Sequence, residues 1–346
     1  MAHILFVVPR FHTNLFFATR ALVQAGHRVS VLAVTASELE DHSILEPAVL
    51  GDTPDRAVVA DLLARDRPDL LLLRNSGGLS KVVGREARRQ GLRLLAYDLK
   101  PLTQCRSLRK RLSLWMQGRP YQRVTPVRGL DPQASLDAGA HYLPWPTAAL
   151  PLPDGAARDM TARPVQVLCV GKLAQVRKNQ DKLIAALVAL GGGADVRLTL
   201  VGSTSRAISG ADNAHFAALN AAAARHDWIT IRSDLPFADM ARLYAASHIC
   251  VLPSVGEPLG IAPVEGMAYG TIPVISTQSG SAGYLTDGQD GMRVDMEQPG
   301  ALRAALEPLV TSSARRAAMS AAARHTAETE LSPERFVQRV EALLRG

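Results

Sequence analysis

The stretch Glu257-Pro258-Leu259-Gly260-Ile261-Ala262-Pro263-Val264-Glu265 places two carboxylates eight positions apart across a turn broken by Pro258 and Gly260. It follows the apolar run His248-Ile249-Cys250-Val251-Leu252, which reads as a buried strand. It leads into a segment that reads as a helix over 260–269, ending near Gly270. One carboxylate then stands at the mouth of a strand-to-helix turn, and the other projects from the helix about one and a half turns on. Between them lie backbone N–H groups at a helix N-terminus, where unsatisfied donors and peptide dipoles favour anions. A phosphorylated sugar fits this combination, its negative end facing the N–H groups and its hydroxyls donating to the carboxylates.

Working outward, short apolar runs alternate with longer amphipathic segments on both sides. That is the pattern of parallel sheets covered by helices, with strands buried on both faces and so continuously apolar. In the second half the expected strands are 165–170, 196–201, 228–231, 248–252 and 272–275, with helices at 179–190, 212–225, 238–246, 260–269, 300–309 and 314–329. A last helix over 333–345 opens on Ser332-Pro333-Glu334, with Ser at the N-cap and Pro at the first turn. In the first half the strands are 3–8, 28–34, 69–74 and 92–97, with a weaker one at 140–143. Helices are expected at 13–25, 53–66 and 79–90, and Gly26 and Gly91 stand at C-cap positions. Residues 144–164 hold five prolines and no sustained periodicity, which places a linker at 151–164 between domains 1–150 and 165–330. The architecture is α/β, two doubly wound halves with a cleft between them, and ligands in such folds sit at the carboxyl ends of strands.

The chain's 346 residues suffice for two domains with their own cores, and 47% hydrophobic with 21% charged residues is a globular composition. No apolar run approaches the roughly 20 residues that span a bilayer. The N-terminal run Ile4–Val8 is too short for a signal-peptide core and lacks a basic segment before it, so it reads as the first strand and the protein as cytoplasmic. Cys105, Cys169 and Cys250 have no metal or redox spacing, and the latter two fall in apolar runs as small core residues. A net charge of +7 points to anionic partners without choosing among nucleotide diphosphates, phospholipids and nucleic acid.

The second half opens with Val165–Val170, then Gly171-Lys172-Leu173, then Arg177-Lys178-Asn179 leading into a helix. Lys172 and Lys178 share one strand-to-helix loop, where two ammonium groups could neutralise a diphosphate; a solvated basic loop is the plainer alternative. The loop is not a Walker motif, and no strand ends in G-x-G-x-x-G, which disfavours a nicotinamide dehydrogenase.

Lys172 and Lys178 after the first strand, then Leu200-Val201-Gly202, then the E-x7-E pair, then Gly270-Thr271-Ile272-Pro273-Val274-Ile275, occur in an order that resembles the retaining GT-B glycosyltransferases of family 4. The resemblance covers most of residues 165–295; the first half resembles the family in architecture alone. It implies a GT-B fold, two doubly wound Rossmann-like domains facing a central cleft, with an acceptor domain, a donor domain, and a final helix (331–346) crossing back to the first. The implied activity is metal-independent transfer of a sugar from a UDP- or GDP-sugar to a cell-surface glycan, a glycolipid or a small-molecule acceptor, without a cofactor. By the same resemblance Lys172 and Lys178 hold the donor diphosphate and Glu257 lies near the donor sugar. Glu265 accepts from the ribose, backbone groups of Leu259, Gly260 and Ile261 meet sugar and phosphate, those around Arg232 meet the base, and Gly202 permits close approach of the nucleotide. Three departures stand out: Leu259 replaces a usual Phe, Gly280-Ser281-Ala282-Gly283-Tyr284 replaces a segment ending in a carboxylate, and Pro9-Arg10-Phe11-His12-Thr13-Asn14 replaces a glycine-rich loop.

In the first half His12 could bind acceptor or phosphate, or simply lie at the surface; Thr13 and Asn14 could cap a helix. Asp98, ending a strand, could contact an acceptor hydroxyl or start a turn. Residues 105–123 interleave Arg106, Arg109, Lys110, Arg111, Arg119 and Arg123 with Leu108, Leu112, Leu114, Trp115 and Met116. This segment could lie on an anionic membrane or receive a lipid-linked acceptor, and equally could be a solvated helix with a core-facing stripe. Two other readings compete: a sugar-nucleotide epimerase of related shape, and a non-catalytic basic binding protein. Nucleic acid is disfavoured, since no binding motif is present and aromatics are only 5%.

Overall fold

Continuous apolar runs become strands wherever they were long enough to cross a sheet. The computed structural model describes all residues except 75–76, 117–119, 121, 153–157, 205–211 and 346, and the side chain of Thr13. Arg119 and part of the 151–164 stretch therefore lie outside the described residues. The chain divides into two compact units, Met1–Pro146 with Leu331–Gly346, and Thr147–Glu330.

The first unit is built on a seven-stranded parallel sheet. In chain order its strands are β1 (His3–Val8), β2 (Arg28–Ala33), β3 (Ala48–Val49), β4 (Leu70–Arg74), β5 (Leu94–Tyr97), β6 (Arg123–Thr125) and β7 (Ala140–Tyr142), arranged β3-β2-β1-β4-β5-β6-β7. Helices α1 (Thr13–Gln24), α2 (Arg56–Asp66), α3 (Gly78–Arg89) and α4 (Leu108–Met116) connect them. Every residue of β1 is buried, as are Leu70–Leu73 of β4, and full burial of each such leucine contributes about 1.5–3 kcal/mol. Gly26 and Gly91 have positive φ just past α1 and α3, the C-cap geometry expected of them.

The second unit carries β8 (Val165–Val170), β9 (Val196–Gly202), β10 (Ile229–Ser233), β11 (Ile249–Leu252), β12 (Ile272–Ser276) and β13 (Met292–Val294) in the order β10-β9-β8-β11-β12-β13, again all parallel. Its helices are α5 (Gln180–Val188), α6 (Asn213–Arg225), α7 (Phe237–Ala246), α8 (Ala262–Met267), α9 (Ala301–Thr311) and α10 (Ser313–Glu330). Cys169 and Cys250 are core residues, and burial pushes the Cys169 thiol up to about 12. The final helix α11 (Pro333–Arg345) starts with the Ser332 hydroxyl accepting from the Arg335 amide and buries Phe336, Val340 and Leu343 in the first unit.

Short strands and the linker depart from the expectations. Strands β3, β6 and β13 span two or three residues each, too few to show a period. The end of the expected first domain and the start of the expected linker are anchored to the second unit: Leu150 donates its amide to the Tyr269 hydroxyl, and Leu150 and Leu152 pack on that unit's core. Arg158 donates to the carbonyls of Tyr244, Ala245, Ser247 and Gly270; burial and then the neighbouring Arg324 lower its pKa to about 10.

Candidate active site

The carboxyl ends of β8, β9, β10 and β11 share one edge of the second sheet, and Lys172, Gly202, Arg232 and Glu257 follow or end those strands. Gly202 lets two of them pass: a Cβ there would lie 1.8 Å from the Gly171 carbonyl oxygen. That proximity lets Gly171 donate to Val201 and Leu173 to Ser203, carrying the β8 loop alongside β9. Lys172 is exposed on this loop.

After the loop, a 3₁₀ turn over Val176–Lys178 ends at Asn179 in the left-handed region (φ 51°). The Asn179 side chain donates to the Pro253 carbonyl at 2.8 Å, and the Val255 amide donates to the Arg177 carbonyl at 2.8 Å. These two bonds staple the lysine loop to the segment after β11. Lys178 is thereby buried, and its Nζ pairs with Oε2 of Glu257; Nη1 of Arg177 reaches the same oxygen at 3.0 Å. Among the described residues Oε1 of Glu257 receives no hydrogen bond.

The turn from Glu257 to Ile261 is held by a second loop. Glu257 donates its amide to Gln278 and accepts from the Gly280 amide, while Ser281 donates its amide to the Leu259 carbonyl (2.8 Å) and its hydroxyl to that of Gly260 (2.7 Å). Gly260 has φ +74°, and a Cβ there would fall 2.2 Å from Leu252 Cδ2 and 2.9 Å from Glu257 Cγ. The carbonyls are thus consumed, whereas the amides of Gly260 and Ile261 find no acceptor among the described residues. Leu259 is buried beside them.

The helix expected over 260–269 is only Ala262–Met267, because the Gly260 geometry delays its start and the chain leaves it before Gly270 (φ +72°). Pro263 in its first turn has no N–H, so free donors come from the turn more than from a helix dipole. Glu265 projects from it into a buried position and accepts from the Tyr244 hydroxyl at 2.7 Å. Burial, and next the charge of Glu265, raises the Tyr244 hydroxyl well above its ordinary value. Arg232 is exposed at the end of β10, its neighbour Ser233 in register with Gly202.

The first-unit candidates do not gather around comparable groups. His12, not Thr13 or Asn14, is the N-cap of α1, and its side chain makes no capping bond. Asn14 lies in the first turn, and the Thr13 side chain falls outside the described residues. Asp98 is committed to structure: Arg123 Nη1 donates to one oxygen at 3.0 Å and Arg106 pairs with the other. Sequence reasoning gave no role to Arg177, Tyr244 or Ser281. Arg177 had a signal, its place next to Lys178; the other two are brought in by tertiary packing alone. No group of three His, Cys, Asp or Glu among the described residues is placed to hold a metal ion.

Residues 164–312, which contain this whole arrangement, match the family Glycosyl transferases group 1. The second unit resembles the group 1 glycosyltransferases. Individual proteins show sequence likeness to parts of this chain. A glycogen synthase of Bordetella parapertussis is 31% identical over 178 residues, 45% of this chain and 33% of that protein. A D-inositol 3-phosphate glycosyltransferase of Corynebacterium kroppenstedtii is 36% identical over 85 residues, 24% of this chain and 19% of the relative. The chain thus spans a third or less of the length of these two group 1-like relatives. Both units follow a glycosyltransferase fold: Anabaena Alr3699/HepE, solved in complex with UDP and glucose, superposes with a TM-score of 0.74 at 16% identity, covering 100% of both chains. The architecture is GT-B.

Proposed function

We propose that the protein is a metal-independent, retaining glycosyltransferase that moves a sugar from a nucleotide-diphosphate sugar to a glycan, glycolipid or small-molecule acceptor. The observation that carries this reading is the Lys178–Glu257 pair beside the Gly260 and Ile261 amides, at the carboxyl edge of a sheet whose sequence matches the group 1 family. HepE, of the same fold, was solved with UDP and glucose. A nucleotide bound along this edge would set its diphosphate against Lys172, Lys178 and the two amides, and its ribose near Glu265. The sugar would meet Oε1 of Glu257.

In the reaction the acceptor hydroxyl oxygen bonds to the anomeric carbon from the face the diphosphate leaves. The bond from that carbon to the phosphate oxygen breaks, and the hydroxyl proton passes to the departing phosphate. Negative charge grows on the diphosphate as this happens, so fixed cations stabilise the transition state more than the ground state. The Glu257 carboxylate, held by Lys178 and Arg177 before the donor arrives, would face an electron-poor anomeric carbon. A panel of UDP- and GDP-sugars tests the reading by thermal shift followed by product analysis. One nucleotide sugar should raise Tm by several degrees, and nucleoside diphosphate should appear only when acceptor is added. Stabilisation by polyanions of every kind, or conversion of the donor sugar without any acceptor, would overturn it.

A further inference from the structure

Helix α4 exposes what a helix normally hides. At 3.6 residues per turn, Leu108, Leu112, Trp115 and Met116 fall on one face, and they are 81%, 58%, 56% and 65% exposed. The residue the helix buries is a different one, Leu114. An apolar stripe of four large side chains is therefore left uncovered among the described residues, flanked on the helix by Arg109 and Arg111.

A second feature adjoins it. Trp115 and Met116 form the apolar wall of a cavity of about 430 Å³ whose other lining includes Arg56, Arg85, Arg88 and Arg89 against one carboxylate, Glu86. Glu86 is buried and is claimed by Arg56 and by Arg89 at 3.1 Å. Arg88 lies over the Trp115 ring, 5.0 Å from its centroid, and donates to the Trp115 carbonyl. Among the described residues neither Arg85 nor Arg88 has a carboxylate partner. The cavity thus offers uncompensated guanidinium charge immediately beside exposed apolar surface.

We propose that α4 and this arginine cavity form a docking surface for an anionic lipid bilayer. The apolar stripe enters the interface and the guanidinium groups take lipid phosphates. Charge complementarity selects this occupant: a protein partner would need an acidic and apolar face, whereas a bilayer of acidic phospholipids presents phosphate directly above hydrocarbon. Arginine suits phosphate by its forked donors, and Trp115 suits the headgroup level. No helix among the described residues is long and apolar enough to cross a membrane, so the contact lies on the bilayer. This inference is independent of the donor chemistry proposed above.

The test is co-sedimentation of the full chain with vesicles of phosphatidylcholine alone and of phosphatidylcholine mixed with phosphatidylglycerol. Wild type should sediment with the mixed vesicles only, and less as salt rises. Each of Arg85→Gln and Arg88→Gln should lower the partition coefficient about fivefold. Leu112→Glu and Trp115→Glu should lower it at least tenfold, with Tm unchanged because both side chains are exposed. Equal binding to neutral vesicles, or binding that survives Leu112→Glu and Trp115→Glu, overturns the proposal. So does glycerol phosphate binding without vesicle binding, or a dimer in solution that Leu112→Glu dissociates, since a second copy would then cover the stripe.

Discussion

Each unit carries an acidic residue paired with basic groups after a central parallel strand, yet the two clusters differ in how completely they are satisfied. In the first unit Arg123 has no exposed surface and spends its donors on Asp98, Asp137 and the carbonyls of Lys100, Pro101 and Gln104. In the second unit Glu257 takes Lys178 and Arg177 on a single oxygen, leaves the other without a hydrogen bond among the described residues, and shares its cations with a partly exposed edge. Asp98 and Glu257 looked alike as strand-end carboxylates. What separates them is spare hydrogen-bonding capacity: a closed network holds the fold, and an open one can exchange partners with a ligand.

The most damaging substitution should therefore be in the closed network. Arg123→Ala removes the buried cation that Asp98 and Asp137 share and leaves each with one arginine, Arg106 and Arg111, and unfolding in urea should show a loss of about 3–5 kcal/mol; a loss under 1 kcal/mol would mean the network is not closed. The same cluster should govern acid unfolding. Burial works to raise the Asp137 carboxyl, but the Gly139 amide, Arg123 and Arg111 outweigh it and leave the pKa below its ordinary value. A lowered carboxyl contributes stability that is present above its unfolded pKa and lost as pH falls through the folded one. Stability should accordingly decline below about pH 4, and Asp137→Asn should flatten that limb.

In the open network the loss should appear in turnover. Lys178→Gln removes the charge proposed to meet the diphosphate and should cost about a hundredfold in kcat, with a smaller stability change because Arg177 still serves Glu257. Near-wild-type turnover would sink the assignment. Glu257→Gln should lower kcat, whereas Glu265→Gln should mainly raise the donor KM by about tenfold. If both glutamines gave the same profile, the two carboxylates would not have separate tasks.

Much of this was legible because apolar runs and glycine positions carry their reasons locally. Strands β1, β4, β8 and β11 announce themselves, and Lys172, Gly202 and Glu257 follow or end strands that share one edge of the second sheet, while Glu265 stands on α8. Strand β6 was hidden because Arg123 reads as surface until Asp98 and Asp137 are beside it, and burial of an arginine is a property of its partners. Leu150 and Leu152 were hidden among prolines for a similar reason, since only the second unit's core makes them internal. The expected helix over 260–269 overshoots α8 because Gly260 reads as a helix start, whereas its positive φ belongs to the turn that carries Glu257.

Two tyrosines, Tyr97 half-buried and Tyr244 buried, give the smallest and finest form of the comparison. Tyr97 in the first unit accepts from the Trp145 indole at 2.9 Å, and burial raises its hydroxyl to about 12. Tyr244 in the second donates to Glu265 and is raised by burial first and then by that charge. Each is neutral in the folded protein where the unfolded side chain would ionise, so each contributes stability present below about pH 10 and lost as pH rises toward the folded value. Replacing either by phenylalanine should cost about 1 kcal/mol at neutral pH and should narrow the gap to wild type in alkali. Only Tyr244→Phe should also raise the donor KM, because only Tyr244 orients a carboxylate proposed to touch the ribose. An equal rise for Tyr97→Phe would show that KM reports general loosening, and the distinction between closed and open networks would then have to rest on Lys178 alone.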